Sequence, residues 1–345
     1  MAYTTIKKPS DYFNTKLYTG TGSTQSITGL DFQPDLVWGK TRNDTQDHQI
    51  IDSVRGATKL LATNGTGAEF TDTNNLTSFN SNGFTVGSSG GINGSGDTLV
   101  SWNWKANGAG SANTDGSISS TVSANTTSGF SIVTVANVGS GDFTFGHGLG
   151  VAPSWVLAKS RDGSKWNNYF KSLSAGYIIQ LDTGAKISNA VMWQNTDPTS
   201  SVVYANGNQL DSNESYVFYC FAEKTGYSKF GRFTSNGNAD NTFVYCGFKP
   251  AWIMMKCDDT TDGWSKWYIF DTTRSPENMN VKELEANSTA VESGNGADYA
   301  QIDMLSNGFK LRNGSAWGPA SSGKTNIFMA FAEEPLIGDN PATAR

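Results

Sequence analysis

The sequence is short of charge. Only 16% of its 345 residues are Asp, Glu, Lys or Arg, against roughly 25% in an ordinary soluble domain. The balance is slightly acidic, with a net charge of -6. A nucleic-acid partner is not expected, because neutralising phosphates needs a basic face. Histidine is nearly absent: His48 and His147 are the only two, which leaves little for zinc or for histidine-based acid–base chemistry. The three cysteines, Cys220, Cys246 and Cys257, form neither a disulfide framework nor a CxxC knuckle, and they read as small core residues. No apolar run reaches the 18 residues or so of a membrane-spanning helix, so no membrane partner is expected. The opening MAYTTIKKPSDYF has no apolar stretch of the secretory kind. Synthesis in a reducing cytoplasm is the expectation.

What the chain has in quantity is glycine (38), asparagine (31) and aromatic side chains (41). So many aromatics set it apart from a disordered chain of equally low charge. Short runs of Val, Ile, Phe, Trp and Tyr alternate with clusters of Gly, Asn, Ser, Thr and Asp, the pattern of strands and turns. Asn-Gly pairs recur, among them Asn82-Gly83, Asn206-Gly207, Asn236-Gly237 and Asn307-Gly308, and predict hairpins. Helical periodicity is scarce. One short helix is expected within 275–290, where Ser275-Pro276-Glu277 resembles a helix start.

The fold class expected is all-β, in three tandem related β-sandwich units. A strand opened by proline occurs three times: Pro34 to Lys40, Pro153 to Lys159 and Pro250 to Lys256, each with a Pro-to-Lys spacing of 6. Both faces of it are apolar, so it should be buried on both sides. A second strand closes each copy. Its one face carries Val100, Trp102, Trp104, then Val217, Tyr219, Phe221, then Ile327, Met329, Phe331. That period of two marks a core face. Copies one and three also share Asp52-x-x-Arg55 with Asp271-x-x-Arg274, and Ser81-Asn-Gly-Phe84 with Ser306-Asn-Gly-Phe309; copy two has neither.

The layout expected is an N-terminal attachment arm at 1–16, units at 17–110, 130–226 and 228–337, a Gly/Ser/Asn-rich linker at 111–129 and a C-terminal tail at 338–345. Each unit is about the size of a two-sheet sandwich, and three in tandem would share edges or pack side by side.

The stretch Tyr18 to Trp38, the opening Tyr12 to Gly20 and the Asp52-x-x-Arg55 that follows resemble an uncharacterised family of tailed-phage virion proteins of the marine cyanophage and pelagiphage type. The likeness covers 1–110 and 228–337 and is weaker between. It implies repeated lectin-like or jelly-roll β-sandwich modules, a virion location, and a place on the head as decoration or fibre or on the tail as appendage. Through the arm, other virion proteins are the expected partners, together with further copies of the chain. The resemblance supplies no catalytic residues, and no enzyme activity and no cofactor are expected.

Several motifs have a chemical reading beside a plain one. Gly318 to Thr325 satisfies GxxxxGK[ST], but a phosphate loop needs a helix after it, and here a closing strand follows; the plain reading is a hairpin loop. Asp52/Arg55 and Asp271/Arg274, the repeated charged pairs, read either as two equivalent ligand sites or as structural anchors, with bidentate pairing. Lys40, Lys159 and Lys256 read as solvated strand ends or snorkelling stems. Trp264, Trp267 and Trp317 are candidates for stacking on a host glycan, beside Trp166, Tyr169 and Trp193; the plain role for each is packing. The acidic turn Asp258 to Gly263 offers oxygen ligands for calcium without the spacing of a helix–loop–helix site. His147, in a glycine-rich turn, reads as loop. A polysaccharide depolymerase would need paired carboxylates in a groove, and nothing in the sequence singles out a pair.

Overall fold

The computed structural model describes residues 4–181, 184–260, 266–294, 301–314, 318–338 and 341–342. They are arranged in six antiparallel sheets, and none closes into a barrel. Three large sheets repeat one strand order. The first runs Phe13–Thr19, Thr98–Trp104, Leu36–Thr41, Gln49–Asp52, Lys59–Ala62, Phe70–Thr71. The second places Phe130–Val135, Tyr216–Phe221, Trp155–Ser160, Trp166–Phe170 and Tyr177–Gln180 in the same succession. The third does so with Ser228–Thr234, Thr325–Pro335, Phe248–Cys257, Tyr268–Asp271 and Leu284–Glu285. In each, the closing strand lies between the first strand and the proline strand. Each large sheet is backed by a small sheet of two or three strands from the same stretch of chain.

The alternation read from the sequence is there, with an unexpected consequence. The face Val100, Trp102, Trp104 and its two counterparts do not face the small sheets. All nine residues belong to one apolar cluster shared by the three large sheets. The opposite faces pack on the small sheets as three separate clusters, around Val37 and Ile51, Val156 and Phe218, and Ile253 and Phe328. The proline strands are buried on both sides because they contribute to both layers. The three large sheets, each with its small sheet (for short, a sandwich), therefore meet face to face about a common core rather than side by side. Trp104, Phe221 and Phe331, at matching places on the three closing strands, meet pairwise with ring centroids 6.2, 5.6 and 5.8 Å apart. Aromatic contacts at that range add about 0.5–1.5 kcal/mol each beyond area burial. The third proline strand begins two residues ahead of its proline, which sits at a register shift; a bulge tolerates the missing donor.

Four boundaries differ from expectation. Residues 13–16 are not arm but the start of the first strand, paired with Trp104 to Ser101. Residues 4–12 before them lie on their own chain: Ile6 is 2% exposed and belongs to the shared core. The stretch 111–129 is not a linker. It holds Ser111–Asn113 and Ser120–Asn125, which extend the second large sheet. Ser and Thr dominate there because few apolar residues, Ile118, Val122 and Ala124, pack on the core. Residues 275–290 form no helix; Leu284 and Ala286 are buried, and Leu284–Glu285 pairs with Tyr268–Ile269. Burial beside a sheet edge overrides the capping signal.

The repeated Ser-Asn-Gly-Phe is a hairpin, but its glycine has another purpose. Asn80 pairs with Gly83, and Leu305 with Gly308, so the loops are Ser81-Asn82 and Ser306-Asn307. A Cβ on Gly83 would lie 1.9 Å from the Ile27 oxygen, and one on Gly308 2.0 Å from that of Val244. The glycine admits the third strand of each small sheet.

Candidate functional site

The charged groups singled out by the sequence are gathered at the seams between sandwiches. Asp52 ends the strand beside the first proline strand, opposite Leu36. Its Oδ1 accepts from the backbone N–H of Val54 and Arg55, which fixes the turn. Its Oδ2 accepts from Arg55 Nε and from the Tyr219 hydroxyl of the second sandwich, the latter at 2.7 Å. Burial and the neighbouring Asp52 push the Tyr219 phenol well above its ordinary value. Arg55 Nη1 reaches Glu69 at 3.1 Å, and Glu69 takes a two-pronged bond at 2.9 Å from Arg161 of the second sandwich.

The seam between third and first sandwich repeats this group by group. Asp271 Oδ2 accepts from Arg274 and from Trp102 Nε1 at 3.0 Å. Arg274 reaches Glu292 at 3.0 Å, and Glu292 takes bonds of 2.9 and 2.8 Å from Arg42. Both carboxylates, Glu69 and Glu292, would be raised by burial alone; the arginines bring them below the usual carboxylate range. The structural-anchor reading of Asp52, Arg55, Asp271 and Arg274 thus gains a reason: each pair is a buried staple across a seam.

The third seam explains what copy two lacks. Register places Phe170 opposite Trp155 as Asp52 stands opposite Leu36, so Phe170 and Leu173 take the places of Asp and Arg. Met329 takes the place of Tyr219 and Trp102, and all three join the shared core. The outer ion pair is reversed in sign. Glu69 N–H donates to Arg161 O at 2.8 Å and Glu292 N–H to Arg42 O at 2.7 Å; at the third seam Lys186 N–H donates to Asp258 O at 2.9 Å. The Lys186 ammonium then sits 3.1 Å from Asp258, which Arg232 also holds at 2.7 Å. The three seams close a ring.

The three lysines are not solvated. Lys40, Lys159 and Lys256 are fully buried. Lys40 Nζ donates to the carbonyls of Thr41, Asp44 and, across a seam, Thr289; Lys159 Nζ donates to those of Ser160 and, across a seam, Gly67. Burial pushes Lys40 down to about 8 against the pull of Asp44 and Asp47. Trp166 and Trp267 lie under Lys159 and Lys256, at 6.0 and 5.7 Å. Each donates its indole N–H to the neighbouring sandwich, to Ala62 O and Gln180 O. As seam residues they have no free face for a sugar. Tyr169 and Trp193 are buried too, and Trp264 and Trp317 lie outside the described residues.

The remaining motifs take plain roles. Gly318–Ala320 is one buried 3-10 turn, and Thr325 opens the closing strand. Lys324 lies 3.8 Å from Asp259. His147 accepts from Leu149 N–H within its loop. His48 is stacked on Trp102 and accepts from Trp38 Nε1, and burial holds it well below its ordinary value, neutral. Burial pushes all three thiols up, Cys257 to about 12. Among the described residues no three His, Cys, Asp or Glu side chains come together as a metal site.

Among the described residues, two open clefts are of similar size. One, about 300 Å³, lies between Phe13–Thr15 and the turn Thr272 to Pro276. The other, about 280 Å³, lies on the second sandwich beside Asn167 and Gln180.

One family model, that of the domain of unknown function DUF7483, matches residues 8–335, and the chain belongs to that family. The match takes in all three sandwiches and the last part of the arm. No curated protein and no solved structure matches the chain.

Proposed function

We propose that the chain is a non-enzymatic structural protein of a tailed-phage virion, displayed on the particle exterior as a head decoration or fibre protein or as a tail appendage. It is built as three tandem related β-sandwich units of jelly-roll or lectin-like shape. The observation that carries this reading is the closed ring of seams around one core. A body whose seams are each closed by ion pairs that join neighbouring units is suited to bearing load and display. The sequence resemblance over 1–110 and 228–337 supplies the virion setting. Attachment to capsid or tail proteins, and to further copies of the chain, would use the outward side of the arm, where Thr5, Lys7 and Lys8 are exposed.

Copy number per purified particle, by quantitative mass spectrometry against the major capsid protein, tests it. Tens to hundreds of copies in fixed ratio to the lattice mean head decoration; threes or sixes mean a tail appendage. Absence from particles overturns the reading.

A second reading, lectin-like recognition of a host-surface glycan, is favoured by Phe243 and Tyr245. They stand two residues apart on one strand, 42% and 56% exposed, and so share one face of it. Exposed aromatic faces of this kind suit stacking on sugar rings.

A further inference from the structure

We infer that the open cleft of the second sandwich is a binding site for a neutral, hydroxyl-rich ligand, a saccharide of one or two rings. The cleft holds about 280 Å³, just under the roughly 300–1,000 Å³ of ligand pockets. Ile178 and Met192, both 3% exposed, form its apolar floor. Amides dominate its walls. Asn167 Oδ1 accepts from Gln180 Nε2 at 2.7 Å, and Asn189 Nδ2 donates to Gln209 Oε1 at 2.9 Å. The two bonds orient the four amides and leave two groups over. Asn167 is 3% exposed as a residue, and no hydrogen bond holds its Nδ2 among the described residues, so the group is open to the cleft. Gln209, which is exposed, likewise keeps its Nε2 free.

The charges balance. Lys165 reaches Gln180 Oε1 at 3.4 Å, and Asp211 accepts from Ser164. One ammonium and one carboxylate give no net preference for an anion or a cation. Donors and acceptors interleaved over an apolar floor match a ring that presents hydroxyls at its edge and C–H groups on its face.

Comparison of the three sandwiches shows this position built differently each time. The residue matching Asn167 is Gln49 in the first, where Asn75 holds it and the single helical turn Gly90–Asn93 covers it. In the third it is Tyr268, 2% exposed in the core. Only in the second, among the described residues, does the place open to a cleft. Its back wall is rigid, because Gln180 O accepts from Trp267 across a seam. The inference rests on the glycan-recognition reading and gives it a location distinct from the Phe243–Tyr245 face.

Saturation-transfer NMR on the whole protein tests it, with glucose, galactose, mannose, N-acetylglucosamine, N-acetylgalactosamine and their disaccharides as probes, and sialic acid as the charged control. At least one neutral sugar is expected to receive saturation. The signal should fall at least tenfold in Gln209→Ala/Asp211→Asn. Asparagine tolerates the φ of 59° at position 211, so an unchanged Tm is expected. Asp142→Asn, on another face, should leave the signal intact. Saturation that survives the double variant overturns the cleft but keeps glycan recognition. No transfer to any neutral sugar, or transfer to sialic acid alone, overturns the proposal. None of these outcomes bears on copy number per particle.

Discussion

Arg55→Leu separates a staple from a decoration. The guanidinium is fully buried and holds Asp52, Glu69 and the Ile50 carbonyl. Removing it leaves Asp52 charged and buried with only the Tyr219 hydroxyl and two backbone N–H donors. Loss of one partner from such a pair costs about 3–5 kcal/mol. The third seam shows the apolar solution, so Asp52→Phe/Arg55→Leu should be better than Arg55→Leu alone. It removes the lone charge but strands the Tyr219 hydroxyl, at about 1–3 kcal/mol. Adding Tyr219→Met completes the copy of Phe170, Leu173 and Met329 and should bring stability to within about 2 kcal/mol of wild type; the remainder is the two turn N–H groups that lose Asp52, with Glu69 and the Ile50 carbonyl that lose Arg55. The assay is urea unfolding followed by tryptophan fluorescence, with ΔG extrapolated to water. One transition is expected, because the core is shared. A cost below about 1 kcal/mol for Arg55→Leu would refute the staple. So would a double variant no more stable than the single one.

Three further outcomes follow from buried groups. Glu69 and Glu292 titrate below their unfolded value of about 4.5, so the stability they contribute is fully present above that pH and is lost as pH falls through their lower folded values; Glu69→Gln should flatten the acid limb of a Tm-versus-pH curve. Lys40 is depressed to about 8 from 10.5, so the unfolded chain binds the extra proton between those values and stability should rise with pH across that window; Lys40→Met, which has no such proton, should lose that rise. The three thiols should fail to react with a disulfide reagent in the native protein at pH 8 and give three equivalents in denaturant, since all are buried and pushed up; one fast equivalent would contradict the packing around that cysteine.

Strand faces were legible because period two is written residue by residue: Val100, Trp102 and Trp104 had to be buried. What buried them was not legible, because alternation names a face and never its partner. The same blindness misplaced the lysines. A Lys at the end of an apolar strand looks solvated until a neighbouring sandwich offers the Gly67 or Thr289 carbonyl. The Asp-x-x-Arg pairs were visible by repetition, and Arg161 and Arg42 could have been found two residues after Lys159 and Lys40. The apolar version at Phe170 and Leu173 was hidden, since nothing in composition links Phe to Asp; register alone does. Ser120–Asn125 reads as linker in the sequence because a strand with one sparse apolar face carries almost the same letters as a loop.

The three seams differ in a way that only a single chain permits. In a trimer of identical chains every interface must use the same residues, so a change at one is a change at all three. Here two seams are ionic inside and pair Arg with Glu outside. The third is apolar inside and pairs Asp with Lys outside. These choices are mutually exclusive. Seating the Phe170 and Leu173 face against Tyr219 or Trp102 would leave a hydroxyl or indole N–H without its carboxylate. Seating the Asp52 staple against Met329 would leave the carboxylate without its donor, at about 1–3 kcal/mol or more for a charged group. The outer pairs add the same discrimination, since Glu69 facing Asp258 would set like charges together. Order around the ring is therefore specified twice, once by buried polarity and once by sign. A chain of three similar units that must close one way, and not swap units with a neighbouring copy, gains from both.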